Sequence, residues 1–299
     1  MKILVTGGLG GIGRVTVARL RRHDHDVLAL DRVPEAEVQS DVWEAVAGAE
    51  HRQVEVRDFE ALGPHFEGVD AVIHLAALPH PSMGSEVEVV DVNCRGAFNI
   101  YRAAADAGIK RVVSASSINA LGYAMGVQGF PIRYFPVDEA HPTMTSDPYS
   151  FSKQMLEEIA AYFWRREGIS GVCLRFPFVF HATSHWAERF REFFSHRQQA
   201  FDELVAMPPG ERRARVDAVI AEFEAGRVER PQERPWGERR HHHREGAPPP
   251  PERALMFGRT DFWAIIAGED AAQALERGVT ASYDSSHPLF VCDRDNAVG

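Results

Sequence analysis

The feature that most constrains this chain is a short apolar run that ends in a cluster of glycines. Residues 2–6 (KILVT) precede Gly7, Gly10 and Gly13, whose spacing is G-x-x-G-x-x-G, and a mixed apolar and basic stretch of helical length follows. A second apolar run occupies residues 26–31. This order predicts a strand, a tight turn, a helix and another strand, which together open an α/β fold.

The alternation of apolar runs and helical stretches continues along the chain. Most of the later runs follow a segment of helical length, and they occupy residues 53–56, 71–75, 111–115, 171–175 and 288–292. Apolar strands that alternate with helices indicate a parallel sheet covered on both faces. We therefore predict an α/β fold with a Rossmann-type, doubly wound parallel sheet over residues 1–180 and a smaller C-terminal region over residues 181–299.

Two segments carry further structural expectations. The helix that ends at Gly108 is expected to bury a stripe of residues spaced by three and four, namely Val87, Val90, Cys94, Phe98, Tyr101 and Ala105. Residues 226–253 contain seven arginines, three consecutive histidines and four consecutive prolines with few apolar side chains, and we expect a mobile loop there. Consecutive histidines do not share a helix face and no acidic or cysteine partner is suitably spaced, so no metal site is predicted.

The composition limits the partners and the cellular setting. The chain has 299 residues, with 33 Lys and Arg against 43 Asp and Glu, a formal net charge of −10. A nucleic-acid partner that depends on phosphate neutralisation is therefore not expected. Three widely spaced cysteines without a CxxC pattern fit a reducing, cytoplasmic setting, and no apolar stretch of about 18 residues predicts a membrane helix.

The glycine turn is suited to binding a phosphate group. Gly7 permits a tight turn, Gly10 lets the backbone approach a pyrophosphate, and Gly13 allows the helix to pack closely on the strand. An anion at this place also meets the N-terminus of the helix, where unpaired N–H groups favour negative charge. Asp31, at the end of the next strand, could accept the ribose hydroxyls of NAD, and its charge disfavours the 2′-phosphate of NADP. Arg32 could hold that phosphate instead, so NADP stays possible.

A second group of residues, which begins at Asp147, is suited to proton transfer. Asp147 and Pro148 have the residue types of an N-cap and a first helical residue. Tyr149 and Lys153 then lie one helical turn apart on the same face. The apolar part of this face comprises Leu156, Ala160 and Phe163. An ammonium beside a phenol is expected to lower the phenol's pKa from about 10, so that Tyr149 can exchange a proton with a substrate hydroxyl or carbonyl.

These elements together resemble the extended short-chain dehydrogenase/reductase family, the NAD-dependent epimerase/dehydratase group. The resemblance covers residues 1 to about 180 and also rests on Arg57-Asp58, on the segment 74–77 (HLAA), on Val92-Asn93 and on Ser116-Ser117. It implies that Asp58 contacts the adenine and that Asn93 supports the cofactor pocket. A helix cap at Asp58 and a solvated helix face at Asn93 are the alternatives.

The resemblance also implies the cofactor and the roles of the site residues. Tyr149 would move the proton, Lys153 would tune Tyr149 and hold the nicotinamide ribose, and Ser117 would position the reacting oxygen. These three are the candidate catalytic residues. The cofactor would be NAD, with NADP possible, and its binding set would comprise Gly7, Gly10, Gly11, Ile12, Gly13, Asp31, Arg32, Asp58, Leu75, Ala76, Ala77, Asn93, Tyr149, Lys153 and Phe176.

The implied function is hydride transfer on a secondary alcohol or ketone of a sugar or nucleotide sugar, by an oxidoreductase or an epimerase. Residues 1–180 would bind NAD(P) and carry the catalytic residues, and residues 181–299 would recognise this small-molecule substrate. Ile118-Asn119 stands where the family's sugar dehydratases have an acidic pair, which disfavours dehydration. The alternative is a dinucleotide-sensing regulatory protein of the same fold. A homodimer through the helices at 84–107 and 148–167 is expected from the family likeness.

Overall fold

A seven-stranded parallel sheet forms the centre of the protein. The computed structural model describes residues 1–181, 195, 198–199, 201–230, 232–234, 262 and 264–293. The strands of the sheet are β1 (Lys2–Thr6), β2 (Asp26–Asp31), β3 (Glu50–Gln53), β4 (Ala71–His74), β5 (Val112–Ser117), β6 (Gly171–Phe176) and β9 (Ser286–Phe290). Their order is β3-β2-β1-β4-β5-β6-β9, and every neighbouring pair is parallel. Two short strands, β7 (Phe178–Phe180) and β8 (Ile265–Ala267), form a separate parallel pair.

Helices cover both faces of the sheet. The structure contains the helices α1 (Gly11–Arg22), α2 (Ser40–Ala45), α3 (Phe59–Leu62), α4 (Glu86–Val90), α5 (Gly96–Asp106), α6 (Pro148–Glu167), α7 (Pro209–Gly226) and α8 (Gly268–Thr280), of which α7 buries no residue. Short 3₁₀ turns span Glu35–Glu37, Gly63–Phe66, Pro81–Met83, Ile118–Leu121 and Arg227–Glu229, and a π-helical turn spans Asp91–Arg95. No helix in the described part of the chain is both long and apolar enough to cross a membrane.

The strands bury alternate residues in two separate cores. Along β1, Ile3 and Val5 pack in the core that contains residues of α1 and α8, whereas Leu4 packs in the core that contains residues of α5 and α6. Strands buried on both faces favour apolar residues on both sides, as in the run from Ile3 to Val5. The doubly wound, Rossmann-type sheet is therefore confirmed, with the strand order 3-2-1-4-5-6 extended by one strand.

The third strand lies earlier in the chain than its apolar residues suggested. The prediction for residues 53–56 is wrong, because β3 ends at Gln53 and its residues are polar. β3 is the edge strand of the sheet, so it needs little apolar surface. Val54 and Val56 follow it and pack in the core.

A π-helical turn changes which face of the helix before Gly108 is buried. Val87 is 79% exposed and Phe98 is 42% exposed, so the predicted stripe is wrong at these two positions. The π-helical turn adds a residue between α4 and α5, which rotates the faces of the two helices relative to each other. The residues that α4, this turn and α5 bury instead include Val89, Val92, Asn93, Ala97, Ile100 and Tyr101.

The sheet extends beyond the predicted boundary at residue 180. β9 pairs with β6 in register from Gly171 with Ser286 to Arg175 with Phe290. Helix α8 packs on the core beside α1. A division at residue 180 is therefore wrong for residues 264–293, because the crossover helix α8 and the strand that follows it complete the same sheet.

Arg227 anchors the described part of the chain after α7. Helix α7 itself has no buried residue. Arg227 is buried, and its guanidinium donates hydrogen bonds to Glu224 and to three carbonyl oxygens, those of Tyr123, Ala124 and Gly126. Arg227 lies at the start of the segment 226–253, for which a mobile loop stays a prediction, and protein acceptors replace water around its guanidinium. Residues 235–253 of that prediction, including its histidines, lie outside the described residues.

Candidate active site

The glycine turn after β1 packs tightly against the start of the loop after β4. Gly7 has a φ of +69°, and a Cβ atom on it would lie 2.8 Å from the backbone nitrogen of Ala76. A Cβ atom on Gly13 would lie 2.0 Å from the carbonyl oxygen of Gly7. Neither position can accept a side chain without movement of the backbone, which agrees with the predicted roles of the two glycines.

The N-terminus of α1 fits a diphosphate. Its N-cap is Gly10, so no side chain caps the first N–H groups, and its first turn contains no acidic residue. Gly10 and Gly11 are exposed and Ile12 is half-buried. The uncapped N–H groups and the helix dipole at this turn favour an anion, as a dinucleotide would supply.

Asp31 lies at the end of β2, directly beside the glycine turn. Its carboxylate accepts hydrogen bonds from the backbone N–H groups of Leu9, at 3.1 Å, and Val33, at 3.2 Å. The next residue, Arg32, is exposed. These two hydrogen bonds hold the carboxylate at the edge of the turn, which is the position expected for a residue that contacts the adenosine ribose.

A buried histidine connects β1 with β4. The Thr6 hydroxyl lies 2.8 Å from His74 Nδ1, and it accepts hydrogen bonds from the N–H groups of Leu75 and Ala76 at 3.2 and 3.3 Å. Burial lowers the pKa of His74 to about 3, so this imidazole is neutral near pH 7. The bonds fix residues 75–77 beside the glycine turn.

The first turn of α6 carries Tyr149 and Lys153 as predicted. Asp147 is the N-cap and accepts a hydrogen bond from the Ser150 N–H at 2.8 Å, and Pro148 is the first helical residue. Tyr149 and Lys153 are both buried. The predicted apolar continuation of this face is confirmed, since Leu156, Ala160 and Phe163 are all buried.

Burial dominates the ionisation of both groups. The Lys153 ammonium lies 5.7 Å from the centroid of the Tyr149 ring and donates a 2.7 Å hydrogen bond to the carbonyl oxygen of Ala115. Burial lowers the pKa of Lys153 to about 8 and raises the pKa of Tyr149 to about 12. The expected decrease of the phenol's pKa is therefore wrong, because loss of hydration outweighs the hydrogen bond with Ser117 and the Lys153 ammonium is directed at a carbonyl.

Ser117 is the last residue of β5 and faces Tyr149. A hydrogen bond with Ser117 acts to lower the pKa of Tyr149, against the larger effect of burial. The Ser117 hydroxyl accepts hydrogen bonds from the Asn119 backbone N–H, at 3.1 Å, and side-chain amide, at 3.2 Å, and lies 3.5 Å from the carbonyl oxygen of Phe176. The three predicted catalytic residues therefore meet at the carboxyl end of the sheet.

Asn93 is a buried part of this site. Its side-chain oxygen accepts a 2.8 Å hydrogen bond from the Leu78 N–H, and its amide donates to the Leu78 carbonyl and to the Ser152 hydroxyl. The alternative of a solvated helix face at Asn93 is wrong. A small cleft joins it to Lys153 and the end of β4, and is lined by His74, Leu75, Ala76, Ala77, Asn93, Ala115, Ser152, Lys153 and Leu156.

Asp58 and Phe176 are two further members of the predicted cofactor-binding set. Asp58 is exposed, and its carboxylate accepts a 3.0 Å hydrogen bond from the Ala61 N–H at the start of α3, which confirms the alternative of a helix cap. It also lines an open groove with Arg57 and Asn99, and its contact with adenine stays a prediction. Phe176 is buried at the end of β6.

Several residues of the site had no signal that marked them individually. Thr6, His74 and Ser152 lie within the motif segments but were given no role of their own, and only the fold pairs Thr6 with His74 and Ser152 with Asn93. Glu157 could have been found, because it lies one helical turn after Lys153. Within the described residues, no three His, Cys, Asp or Glu side chains are grouped closely enough to hold a metal ion.

Residues 3–200 match the family model of the NAD dependent epimerase/dehydratase family. The chain belongs to this family. It is 30% identical over 177 residues to the uronate dehydrogenase of Pseudomonas syringae pv. tomato, and the match covers 58% of each chain. It is 33% identical over 180 residues to the L-arabinose 1-dehydrogenase (NAD(P)(+)) of Haloferax volcanii, a match that covers 58% of this chain and 65% of the relative. The chain thus spans about three fifths of the length of these two family members.

The fold of the family is also that of the structural neighbours. A short-chain dehydrogenase/reductase superfamily protein from Agrobacterium tumefaciens, crystallised with bound NAD, superposes with a TM-score of 0.62 and 22% sequence identity. The superposition covers 97% of this chain and 77% of that protein. At this identity the likeness shows that the two chains share a fold.

Proposed function

We propose that this member of the NAD-dependent epimerase/dehydratase family is an NAD(P)-dependent enzyme that transfers hydride to or from a secondary alcohol or ketone of a sugar or nucleotide sugar. The observation that carries the proposal is the buried group of Tyr149, Lys153 and Ser117 at the carboxyl end of the sheet. A protein that only senses a dinucleotide would need the glycine turn, but it would not need a buried, costly lysine beside a phenol.

Each residue of the group has a separate task in this proposal. Tyr149 holds the proton that is exchanged with the substrate oxygen, and Ser117, which faces the same phenol, orients that oxygen. Lys153 supplies positive charge beside the phenol and is directed by the Ala115 carbonyl. The dinucleotide, when bound on the glycine turn, supplies or accepts the hydride. The start of α1 at Gly10 would hold its diphosphate and Asp31 its adenosine ribose, and the charge of Asp31 favours NAD.

The substrate class is supported by the relatives and by the residues after Ser117. Both relatives named above are sugar dehydrogenases by name. Ile118 is buried and Asn119 donates to Ser117, so neither residue supplies the carboxylate that elimination of water would need. Oxidation or epimerisation of a sugar is therefore favoured over dehydration.

The test is a turnover assay with the purified full-length chain. NAD is mixed with free aldoses, uronates and nucleotide sugars in separate reactions, and NADH is followed at 340 nm while the sugars are separated by chromatography. Accumulating NADH identifies a net dehydrogenase. A sugar converted to its epimer without net NADH identifies an epimerase.

The binding experiment that accompanies this assay distinguishes the sensor alternative. If NAD binds in calorimetry but every sugar in the panel leaves the dinucleotide and the sugar unchanged, the enzymatic proposal is wrong and the sensor alternative is favoured. If NAD and NADP both fail to bind, the assignment of the glycine turn is wrong as well.

The homodimer remains part of this proposal. Two large apolar side chains on the helices expected to form the interface, Phe98 and Phe151, are exposed. A second copy of the chain that packs on these helices would bury them. Light scattering at several protein concentrations measures the mass and decides between monomer and dimer.

A further inference from the structure

A buried ion pair lies directly beneath the candidate catalytic residues. Arg175 on β6 is 2% exposed, and its guanidinium donates two hydrogen bonds to the carboxylate of Glu157 on α6, at 2.8 and 2.9 Å. Glu157 lies one helical turn after Lys153, so the carboxylate faces the same side of α6 as the ammonium. Burial lowers the pKa of Lys153, and the groups that act against burial are Cys173, Cys94 and, with a smaller effect, the Glu157 carboxylate.

The pair also connects the three elements that carry the site. The Ser116 hydroxyl donates a 2.6 Å hydrogen bond to the Glu157 carboxylate, and Ser116 precedes Ser117 on β5. Arg175 precedes Phe176 on β6 and donates to the carbonyl oxygen of Glu139. The relative positions of Ser117, Lys153 and the end of β6 therefore depend on the same carboxylate.

The other ionisable groups that face Lys153 are neutral near pH 7. His74 on β4 has a pKa of about 3, and on α6 itself Tyr149 has a pKa of about 12. Burial raises the pKa of Cys94 in the π-helical turn to about 11 and raises that of Cys173 on β6 as well. Among the described groups that act on the ionisation of Lys153, the carboxylate of Glu157 is the one engaged in an ion pair, with Arg175.

Stability alone does not explain a charged pair at this place. The desolvation cost of two buried charges roughly cancels their attraction, and well-packed apolar residues are often equally stable or more stable. A charge retained in the core beside a titrating lysine therefore indicates a second role.

We propose that Glu157 and Arg175 are a positioning pair for the active site: Glu157 holds Ser116, and through it the neighbouring Ser117, and places a negative charge on the side of α6 that carries the Lys153 ammonium, while Arg175 partly neutralises that charge. The proposal rests on the proposed function, because the positioning matters only where Tyr149 and Lys153 act on a substrate. The proposal predicts a specific pattern in the variants. Loss of the negative partner and loss of the positive partner must change the ionisation of Lys153 in opposite directions.

The test is an NMR titration of the full-length chain with ¹³C-labelled lysine, whose Cε signal follows the protonation of Nζ. The chain has three lysines, Lys2, Lys110 and Lys153, and the signal absent from a Lys153→Met sample identifies the third. We expect the Lys153 titration to move to lower pH in Glu157→Gln and to higher pH in Arg175→Met. The signals of Lys2 and Lys110 should not move.

Matched variants separate charge from packing. Glu158→Gln and Arg165→Met remove the same charges from exposed positions of α6 and should leave the titration of Lys153 unchanged. In the double variant Glu157→Gln/Arg175→Met, the midpoint of the Lys153 titration should lie between the midpoints in the two single variants. If one single variant does not fold, the other is compared with Glu157→Asp, which keeps the charge, and a shift opposite to the expected direction, or none, overturns the proposal.

The outcomes are distinct from those of the turnover assay. Opposite shifts support the pair, and shifts in one direction, or none, overturn it, even if no sugar is turned over. If turnover is found, its alkaline limb, on which the ammonium is lost, should move with the Lys153 titration in each variant, while the KM for NAD changes less than threefold. An unchanged limb in both single variants would also overturn the proposal.

Discussion

The two ends of the site are built in different ways. At the dinucleotide end, close backbone contacts exclude side chains, as between Gly13 and Gly7, and a single carboxylate, that of Asp31, is held by two backbone N–H groups. At the catalytic end, buried side chains from β5 and α6 face one another, and the pKa values of Tyr149 and Lys153 are shifted. The first end therefore depends on the shape of a local segment, whereas the second depends on the electrostatics of the whole core.

The largest expected effect is at the dinucleotide end. In Gly13→Ala the new methyl group would overlap the Gly7 carbonyl, which is backbone and cannot rotate away. We expect loss of measurable NAD binding and a decrease of about 3 kcal/mol or more in the free energy of unfolding. Calorimetry and urea denaturation measure the two quantities. Gly63→Ala, where no atom lies within 4 Å of the added Cβ, is the control, and equal losses in both variants would contradict the steric explanation.

Tyr149→Phe should affect the catalytic end alone. The variant keeps the ring but loses the hydroxyl, so we expect turnover to fall by about 10² to 10⁴ while the Kd for NAD stays within about threefold. Steady-state kinetics and calorimetry test the two halves of this statement. Tyr162→Phe, on the same helix but partly exposed, should retain normal turnover. Full activity in Tyr149→Phe would remove this residue from the mechanism.

Asp31→Asn should narrow the preference between NAD and NADP. The amide retains one acceptor but not the negative charge, so repulsion of the 2′-phosphate is lost, and we expect the ratio of the two Kd values to change by about tenfold. Asp26→Asn, at the exposed start of the same strand, is the control. If the ratio of the Kd values for NAD and NADP is unchanged in Asp31→Asn, Arg32 or another residue discriminates between the two dinucleotides.

A separate expected effect concerns the dependence of stability on pH rather than binding or turnover. The folded pKa of His74 is about 3, below the value of about 6.5 in an unfolded chain. The unfolded state therefore binds the proton first, and the stability present above pH 6.5 is lost as the pH falls towards 3, by at most about 1.4 kcal/mol per pH unit. Thermal unfolding measured between pH 7 and pH 4 should show a shallower slope in His74→Asn. His287→Gln, at an exposed position of β9, should keep the wild-type slope.

The parts of the molecule that the sequence predicts correctly are those formed by residues close together in the chain. The glycine turn, the cap at Asp147 and the shared face of Tyr149 and Lys153 depend on residues within one or two turns of each other, and the structure agrees with the sequence at all of them. β3 was misplaced because an edge strand tolerates polar residues, as in Glu50–Gln53. The buried stripe before Gly108 was wrong because a π-helical turn leaves no regular pattern in hydropathy.

The amino-acid sequence by itself determined the order of strands and helices, the tight glycine turn and the shared helix face of Tyr149 and Lys153, because each of these follows from local spacing and backbone conformation. The tertiary structure decided that β9 joins the sheet, that Arg227 is buried, that burial raises the pKa of the Tyr149 phenol and that Glu157 and Arg175 lie beneath Lys153. These properties arise from desolvation and from contacts between residues far apart in the chain. A linear pattern does not record which distant groups remove water from a side chain or which charge comes to lie beside it.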